Sequence, residues 1–226
     1  MKSGNNKILI TGSAGFIGFH LSRQLLYKGY EIFGLDSLNE YYEVKLKIDR
    51  NKILKKYNHY KFYKINIEDY QKLKKLIIKI NPSIIIHLAA QAGVRYSVEN
   101  PSIYFESNMK GTFNILDISR LINIKHLLIA STSSVYGSNK KFPFSENDKT
   151  DTQMSFYAAS KKSCEIMAHS YSHIYNVPTT IFRFFTVYGP WGRPDMALFK
   201  FTKLILEDNF IEVYNYGKMK RDFTYV

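Results

Sequence analysis

The sequence predicts an α/β protein built on a doubly wound parallel sheet, and three observations carry that prediction. Apolar runs that read as buried strands alternate with amphipathic stretches that read as helices along most of the 226 residues. Gly12, Gly15 and Gly18 follow the first apolar run directly and open the first amphipathic stretch. The second run ends on a carboxylate, Asp36. Strand, glycine turn, helix, strand and acid together form the mononucleotide-holding unit of a Rossmann fold.

Each element has its own justification. Ile8-Leu9-Ile10 is short and flanked by turn residues, as a strand buried on both faces should be. Phe16, Ile17, Leu21, Leu25 and Leu26 form a helical stripe, and Glu31 to Leu35 is the second strand. A basic, solvated helix is expected at Lys45 to Lys55, a strand at Lys61 to Ile65, and a helix at Tyr70 to Ile80 stopped by Pro82. Ile84 to Leu88 is a further buried strand, followed by a long helix from Tyr104 to Leu121 and a strand at His126 to Ala130. A helix from Phe156 to Tyr175, a strand at Thr180 to Phe185, a helix from Leu198 to Glu207 and a short strand at Ile211 to Tyr214 complete the pattern. The chain is expected to be cut short, because Asp222 to Val226 reads as the start of another element.

The glycines have a chemical reason. A backbone brought against a pyrophosphate excludes side chains, and a helix N-terminus offers N–H groups and the positive end of a dipole. The turn residues expected at the phosphates are Gly12, Ala14, Gly15, Phe16, Ile17 and Gly18. Asp36 stands where a carboxylate accepts both ribose hydroxyls, and it would repel a 2′-phosphate. No Arg or Lys follows it until Lys45, so the expected cofactor is NAD rather than NADP.

Beyond the strand at His126 to Ala130 stand Ser131, Thr132, Ser133 and Ser134, at the sheet end where ligands of open α/β sheets bind. Tyr157 and Lys161 follow on one helix, four residues apart and therefore one above the other. The spacing alone says little, since Tyr41, Tyr57, Tyr60, Tyr70, Tyr136, Tyr214 and Tyr216 also have Lys four residues later. Only Tyr157 adds a long helix placed directly after a hydroxyl-bearing strand end. A phenol of ordinary pKa ~10 is a poor base at neutral pH, and bringing it to ~7 needs about 4 kcal/mol of preferential phenolate stabilisation. A lysine ammonium and a positive nicotinamide ring together supply such a field. The expected catalytic residues are Thr132, Tyr157 and Lys161, with Tyr157 and Lys161 also touching the cofactor.

Composition narrows the function classes. A hydrophobic content of 45% suffices for a core, and the single cysteine, Cys164, forms no internal disulfide, which fits a reducing cytoplasm. The start, Met1 to Asn6, is polar with no apolar stretch behind it, so neither a signal peptide nor a membrane span is expected. The net charge is +13, with a dense run of Lys45, Lys47, Arg50, Lys52, Lys55, Lys56 and Lys61. No DNA- or RNA-binding motif accompanies it, so no nucleic-acid partner is expected, though a basic surface attracts dianionic substrates. His169 and His173 share a helix face, yet no Glu follows His169 and no third ligand is evident, so no metal is expected. His87 and Cys164 read as packed residues.

The glycine pattern, Thr132, Tyr157 and Lys161 resemble the extended short-chain dehydrogenase/reductases essentially from end to end. Finer strings resemble the UDP-glucuronate 4-epimerases: Asp36-Ser37-Leu38-Asn39 with Tyr41-Tyr42, His87 to Ser97, and Arg183 to Met196. The resemblance implies an NAD-binding Rossmann domain over residues 1–185 and an incomplete substrate region over 186–226. It implies that Tyr157 takes the sugar 4-hydroxyl proton while hydride passes from C4 to NAD and back to the opposite face. It places Asn66, Ile67, Leu88, Ala89, Ala90 and Asn108 at the cofactor, and Arg95, Thr132, Ser133, Ser134, Thr186, Arg193 and Arg221 at a UDP-sugar. In that set, hydroxyls and the Arg193 guanidinium suit a C6 carboxylate, and Arg221 a diphosphate. Related dehydratases and decarboxylases usually carry an acid just after the catalytic Thr or Ser, where this chain has Ser133 and Ser134. The alternatives left open are another nucleotide-sugar 4-epimerase, a 4,6-dehydratase, or an NAD-binding chain without turnover. A homodimer through the two long helices is the further expectation.

Overall fold

Among the described residues, six apolar runs become one parallel sheet. Its strands are β1 (Lys7–Thr11), β2 (Glu31–Asp36), β3 (Tyr60–Lys64), β4 (Ile84–His87), β5 (His126–Thr132) and β6 (Thr179–Phe184). The computed structural model describes residues 7–218 and 220–226, so the polar start read at Met1 to Asn6 lies outside the described residues. The strand order is β3-β2-β1-β4-β5-β6, with every neighbouring pair parallel. The order reverses between β1 and β4, so the ligand crevice of such a sheet opens above their carboxyl ends.

Strand periodicity explains why the runs are continuously apolar. Leu9 points into a core with Leu35, Leu73, Ile77, Ile85 and Leu127. Its neighbours Ile8 and Ile10 point to the other face, with Phe19, Leu26, Ile32 and Leu54. Both faces are covered, so neither can be polar. The covering helices are α1 (Phe16–Tyr27), α2 (Val44–Leu54), α3 (Tyr70–Ile80), two short turns α4 (Tyr96–Glu99) and α5 (Pro101–Tyr104), then α6 (Gly111–Ser119) and α7 (Phe156–Tyr175). Asp69 caps α3 by accepting the Lys72 N–H at 3.1 Å, and Ser155 caps α7 by accepting that of Ala158 at 3.1 Å. Asn81 and Asn176 end these two helices in the left-handed region. Asn81, one residue before Pro82, is therefore the stop of α3.

Beyond β6 the chain leaves the main sheet. β7 (Thr186–Tyr188) pairs in parallel with β8 (Phe223–Tyr225), and α8 (Ala197–Leu206) lies between them in sequence. Three expectations are corrected. Residues 211–213 form no strand, and a 3₁₀ turn follows at Tyr214–Gly217; Val213 is exposed, with no neighbouring strand to pair it. The helix expected to run unbroken from Tyr104 to Leu121 contains a π-helical turn at Phe105–Lys110 and ends at Ser119. The basic helix is not simply solvated, since α2 buries Lys47 and Arg50.

Candidate active site

A cleft of about 2130 Å³ opens along the carboxyl ends of the strands. A single small-molecule pocket occupies roughly 300–1,000 Å³, so this cleft has room for two ligands side by side.

Its first wall is the glycine turn. Gly12 has φ +72°, and a Cβ there would lie 2.8 Å from the backbone nitrogen of Ala89. At Gly18 a Cβ would lie 2.1 Å from the Gly12 carbonyl oxygen, so α1 reaches the turn only because no side chain intervenes. Gly12, Gly15, Phe16, Ile17 and Gly18 all line the cleft. With Gly15 as N-cap, the N–H groups of Phe16 and Ile17 open the first helical turn and have no intrahelical acceptor. Ala14 is different. It is fully buried, and its N–H donates to Asp36 Oδ2 at 3.1 Å, so it supports the turn from behind.

Asp36 ends β2 at the cleft and also accepts the Leu38 N–H at 2.8 Å. Burial pushes its carboxyl above the ordinary range, against the two N–H donors and the nearby cations Lys47 and Arg50. Asn66, Ile67, Leu88, Ala89 and Ala90 continue this wall. A glycine cradle, unpaired first-turn N–H groups and a carboxylate at the second strand end form a donor set that fits a dinucleotide.

Thr132, Tyr157 and Lys161 line the same cleft. Thr132 is the last residue of β5 rather than a residue beyond it, and its Oγ1 accepts the Ser134 N–H at 3.2 Å. Tyr157 stands at the start of α7 against the edge of Tyr104, with ring centroids 6.0 Å apart. Lys161, one turn on, is 3% exposed and makes no ion pair among the described residues. Its charge is felt by His87, which burial and then Lys161 push down to about 3. His87 stays a neutral strut between Thr11 Oγ1 (2.8 Å) and Thr112 Oγ1 (3.0 Å).

Arg95, Ser133, Ser134, Thr186, Arg193 and Arg221 also line the cleft. Arg193 is not an unengaged cation. Its Nε donates to Asp195 Oδ1 at 3.0 Å and one Nη to Oδ2, while the Tyr41 hydroxyl donates to Oδ2 at 3.2 Å. Burial opposes the Arg193 charge, but Asp195 outweighs it and holds the guanidinium above its ordinary value. Burial and then Asp195 push the Tyr41 hydroxyl up to about 12. Arg221 is exposed at the cleft rim beside β8.

Asn108 does not line the cleft as the resemblance implies. It is fully buried, accepts the Gln91 N–H at 2.7 Å, and donates to Gln91 O at 3.0 Å and Ser160 Oγ at 2.9 Å. It clamps the loop after β4 to α7. The sequence reading also missed Glu165, which is buried and receives Ser131 Oγ at 2.6 Å, Arg183 Nε at 3.0 Å and Arg183 Nη2 at 2.9 Å. A further omission is Arg50, whose buried position nothing in its basic neighbourhood signals. Among the described residues no group of three His, Cys, Asp or Glu could hold a metal, and no helix is long and apolar enough to cross a membrane.

A family model described as GDP-mannose 4,6 dehydratase matches residues 9–226. The chain is 58% identical over 220 residues to the protein CapI of Staphylococcus aureus, covering 97% of this chain and 66% of that protein. It is 53% identical over 220 residues to a probable UDP-glucuronate 4-epimerase of Rhizobium meliloti (strain 1021), covering 97% and 64%. The fold superposes with a TM-score of 0.91 on the crystal structure of UDP-glucuronic acid 4-epimerase from Bacillus cereus in complex with UDP-glucuronic acid and NAD, at 36% identity, covering 97% of this chain and 69% of that one. The chain thus spans about two thirds of the length of the curated relatives it matches.

Proposed function

We propose, from the premise that the chain belongs to the GDP-mannose 4,6 dehydratase family of NAD-dependent epimerases and dehydratases, that it is a 4-epimerase of a nucleotide sugar, interconverting UDP-glucuronate and UDP-galacturonate with NAD in the cleft. One observation carries the reading: Tyr157, Lys161 and Thr132 all line the cleft that the glycine turn opens, with Lys161 3% exposed and in no ion pair among the described residues. Lys161 stands one helical turn beyond Tyr157 on α7.

Residues 1–185 hold the dinucleotide and residues 186–226 face the sugar. The helix end at Phe16 and Ile17 receives the pyrophosphate, Asp36 the ribose hydroxyls, and Asn66 and Ile67 the adenine. NAD held by these residues would supply a hydride acceptor and donor for the sugar C4, the keto sugar turning over in the cleft between the two transfers. The phenol oxygen of Tyr157 takes the proton of the sugar 4-hydroxyl and later gives it back. Lys161 steadies the phenolate, and Thr132 hydrogen-bonds the sugar oxygen as it loses its proton. Ser133, Ser134, Thr186 and Arg193 receive the C6 carboxylate, with Arg193 offering the N–H groups that Asp195 leaves unspent. Arg95 and Arg221 serve the diphosphate side.

Ser133 and Ser134 stand beside Thr132 where a 4,6-dehydratase needs a proton-transferring acid, which favours epimerisation over elimination. An NAD-binding chain without turnover is the second reading. Incubation with UDP-glucuronate, UDP-glucose and UDP-N-acetylglucosamine, followed by chromatography of the products, tests both. UDP-galacturonate from the first sugar only, abolished in Tyr157→Phe with NAD still bound, is the expected result. Turnover of the neutral sugars alone defeats the uronate assignment, and NAD retention without any turnover selects the second reading.

A further inference from the structure

Arg50 is the least expected residue of the fold. It comes from a lysine-rich helix, yet it is fully buried and no carboxylate pairs with it among the described residues. Its guanidinium reaches in two directions. Nη1 donates to the carbonyl of Ala14, inside the glycine turn, at 3.0 Å and to the Tyr42 hydroxyl at 2.8 Å. Nη2 donates to the carbonyls of Trp191 at 2.5 Å and Gly192 at 3.2 Å. These two carbonyls immediately precede Arg193, which lines the cleft.

Both ends of this bridge need it. Ala14 is held at its N–H by Asp36 and at its carbonyl by Arg50, so the turn backbone is fixed on both sides of one residue. Trp191 has φ +58°, a conformation that a bulky L residue keeps only when its surroundings impose it. The contacts imposing it are the Arg50 hydrogen bond and the Phe19 ring, 5.7 Å from the Trp191 ring. The neighbouring His20 Nε2 to Pro190 O contact, 2.8 Å, fastens the same loop to α1. Only a planar fork with several donors satisfies carbonyls on both sides at once.

We propose that Arg50 is a positioning residue that couples the glycine turn to the loop carrying Arg193, so that a dinucleotide in the turn sets the sugar side of the site. The proposal rests on the dinucleotide reading above, and the molecule contains its own reporter. Trp191 is the single tryptophan of the chain, so its fluorescence reads the coupled loop alone.

The test titrates NAD into the full chain, wild type and Arg50→Lys, and follows NAD affinity by calorimetry and Trp191 emission in parallel. Arg50→Lys keeps the charge but cannot span both pairs of carbonyls. The wild type is expected to bind NAD and change its Trp191 emission; Arg50→Lys is expected to bind NAD and leave Trp191 silent. In the same proteins, NAD is expected to tighten UDP-glucuronate by about fivefold or more in the wild type and to leave its affinity unchanged in the variant. A variant whose Trp191 response and coupling match the wild type overturns the proposal. Should the wild type bind no NAD, the dinucleotide reading falls, and acrylamide quenching still judges the bridge: Trp191 equally shielded in wild type, Arg50→Lys and Arg50→Met defeats it, and greater quenching in both variants upholds it.

Discussion

At the scale of single residues, the site separates into groups whose chemistry dictates the residue type and groups whose partners dictate it. Asp36 belongs to the first kind. Its carboxylate is the acceptor at the end of β2, and replacing it by Ala removes that acceptor and also releases the Ala14 and Leu38 N–H groups. A hydrogen bond to a charged group contributes about 1.5–3 kcal/mol, so Asp36→Ala is expected to weaken NAD binding roughly tenfold or more, measured by calorimetry. Unchanged affinity contradicts the ribose role. Glu165 belongs to the second kind. Burial raises its carboxyl, but Arg183, Ser131 and Lys162 together hold it below its ordinary 4.5. Between the two values the unfolded chain binds a proton that the folded chain does not, so this contribution to stability is present above pH 4.5 and is lost as the pH falls below it. Glu165→Gln is expected to flatten that acid limb in melts taken across pH and, near neutrality, to cost about 1–3 kcal/mol for the hydrogen bonds left short of an acceptor. An unchanged acid limb removes Glu165 from the account. The glycines, Asp36, Tyr157 and Lys161 could be placed on the cleft from the sequence because strand ends and the helix starts that follow them fix where those positions stand. Arg50, Asp195 and Glu165 were not, because what fixes them is an acceptor or cation elsewhere in the fold, as far as 142 residues away for Arg50.

At the scale of elements, the strand and helix boundaries followed the apolar periods closely, and the departures occur where a tertiary contact outweighs them. The run from Tyr104 to Leu121 reads as one helix by period, yet a π turn at Phe105–Lys110 interrupts it and the helix ends at Ser119. Such a turn shifts side chains around the helix axis, and here Asn108 lies within it, bonded to both the N–H and the carbonyl of Gln91 and to Ser160 on α7. Nothing in the local sequence announces that three-way clamp. Asn108→Ala leaves three buried polar groups short of partners at about 1–3 kcal/mol for each that finds no substitute. The thermal midpoint is therefore expected to fall by roughly 5–10 °C, with calorimetry as the check; a shift of a degree or less means that Gln91 and Ser160 repair their own bonds. The missing strand at residues 211–213 has the opposite cause. Its residues have strand propensity, but among the described residues no strand pairs with them, and propensity without a partner makes no sheet.

At the scale of the whole molecule, charge and apolar surface are distributed more specifically than composition suggests. Of the basic run after Asp36, Lys47 and Arg50 turn inward, while Lys45, Lys52 and Lys61 pair with Asp49 or Glu31, so the run is not an open cationic stripe. Apolar surface collects on the helices instead. Where Phe113 of α6 meets Tyr171 of α7, at 6.3 Å between ring centroids, the pair leaves Phe113 43% and Ile166 59% exposed, with Phe105 of the π turn 50% exposed nearby in sequence. Water-facing aromatic and branched side chains on two packed helices favour burial against the same helices of a second copy, since a two-fold interface presents one patch to itself. This surface is the one on which the homodimer expected from the sequence is to be tested. Sedimentation equilibrium is expected to give twice the mass of the chain for the wild type, and the mass of one chain for Phe113→Glu combined with Ile166→Glu. Circular dichroism unchanged between the two assigns the difference to the interface rather than to unfolding. A wild type that sediments at the mass of one chain at micromolar concentration removes the interface, and α7 then keeps only its role of carrying Tyr157 and Lys161 to the cleft.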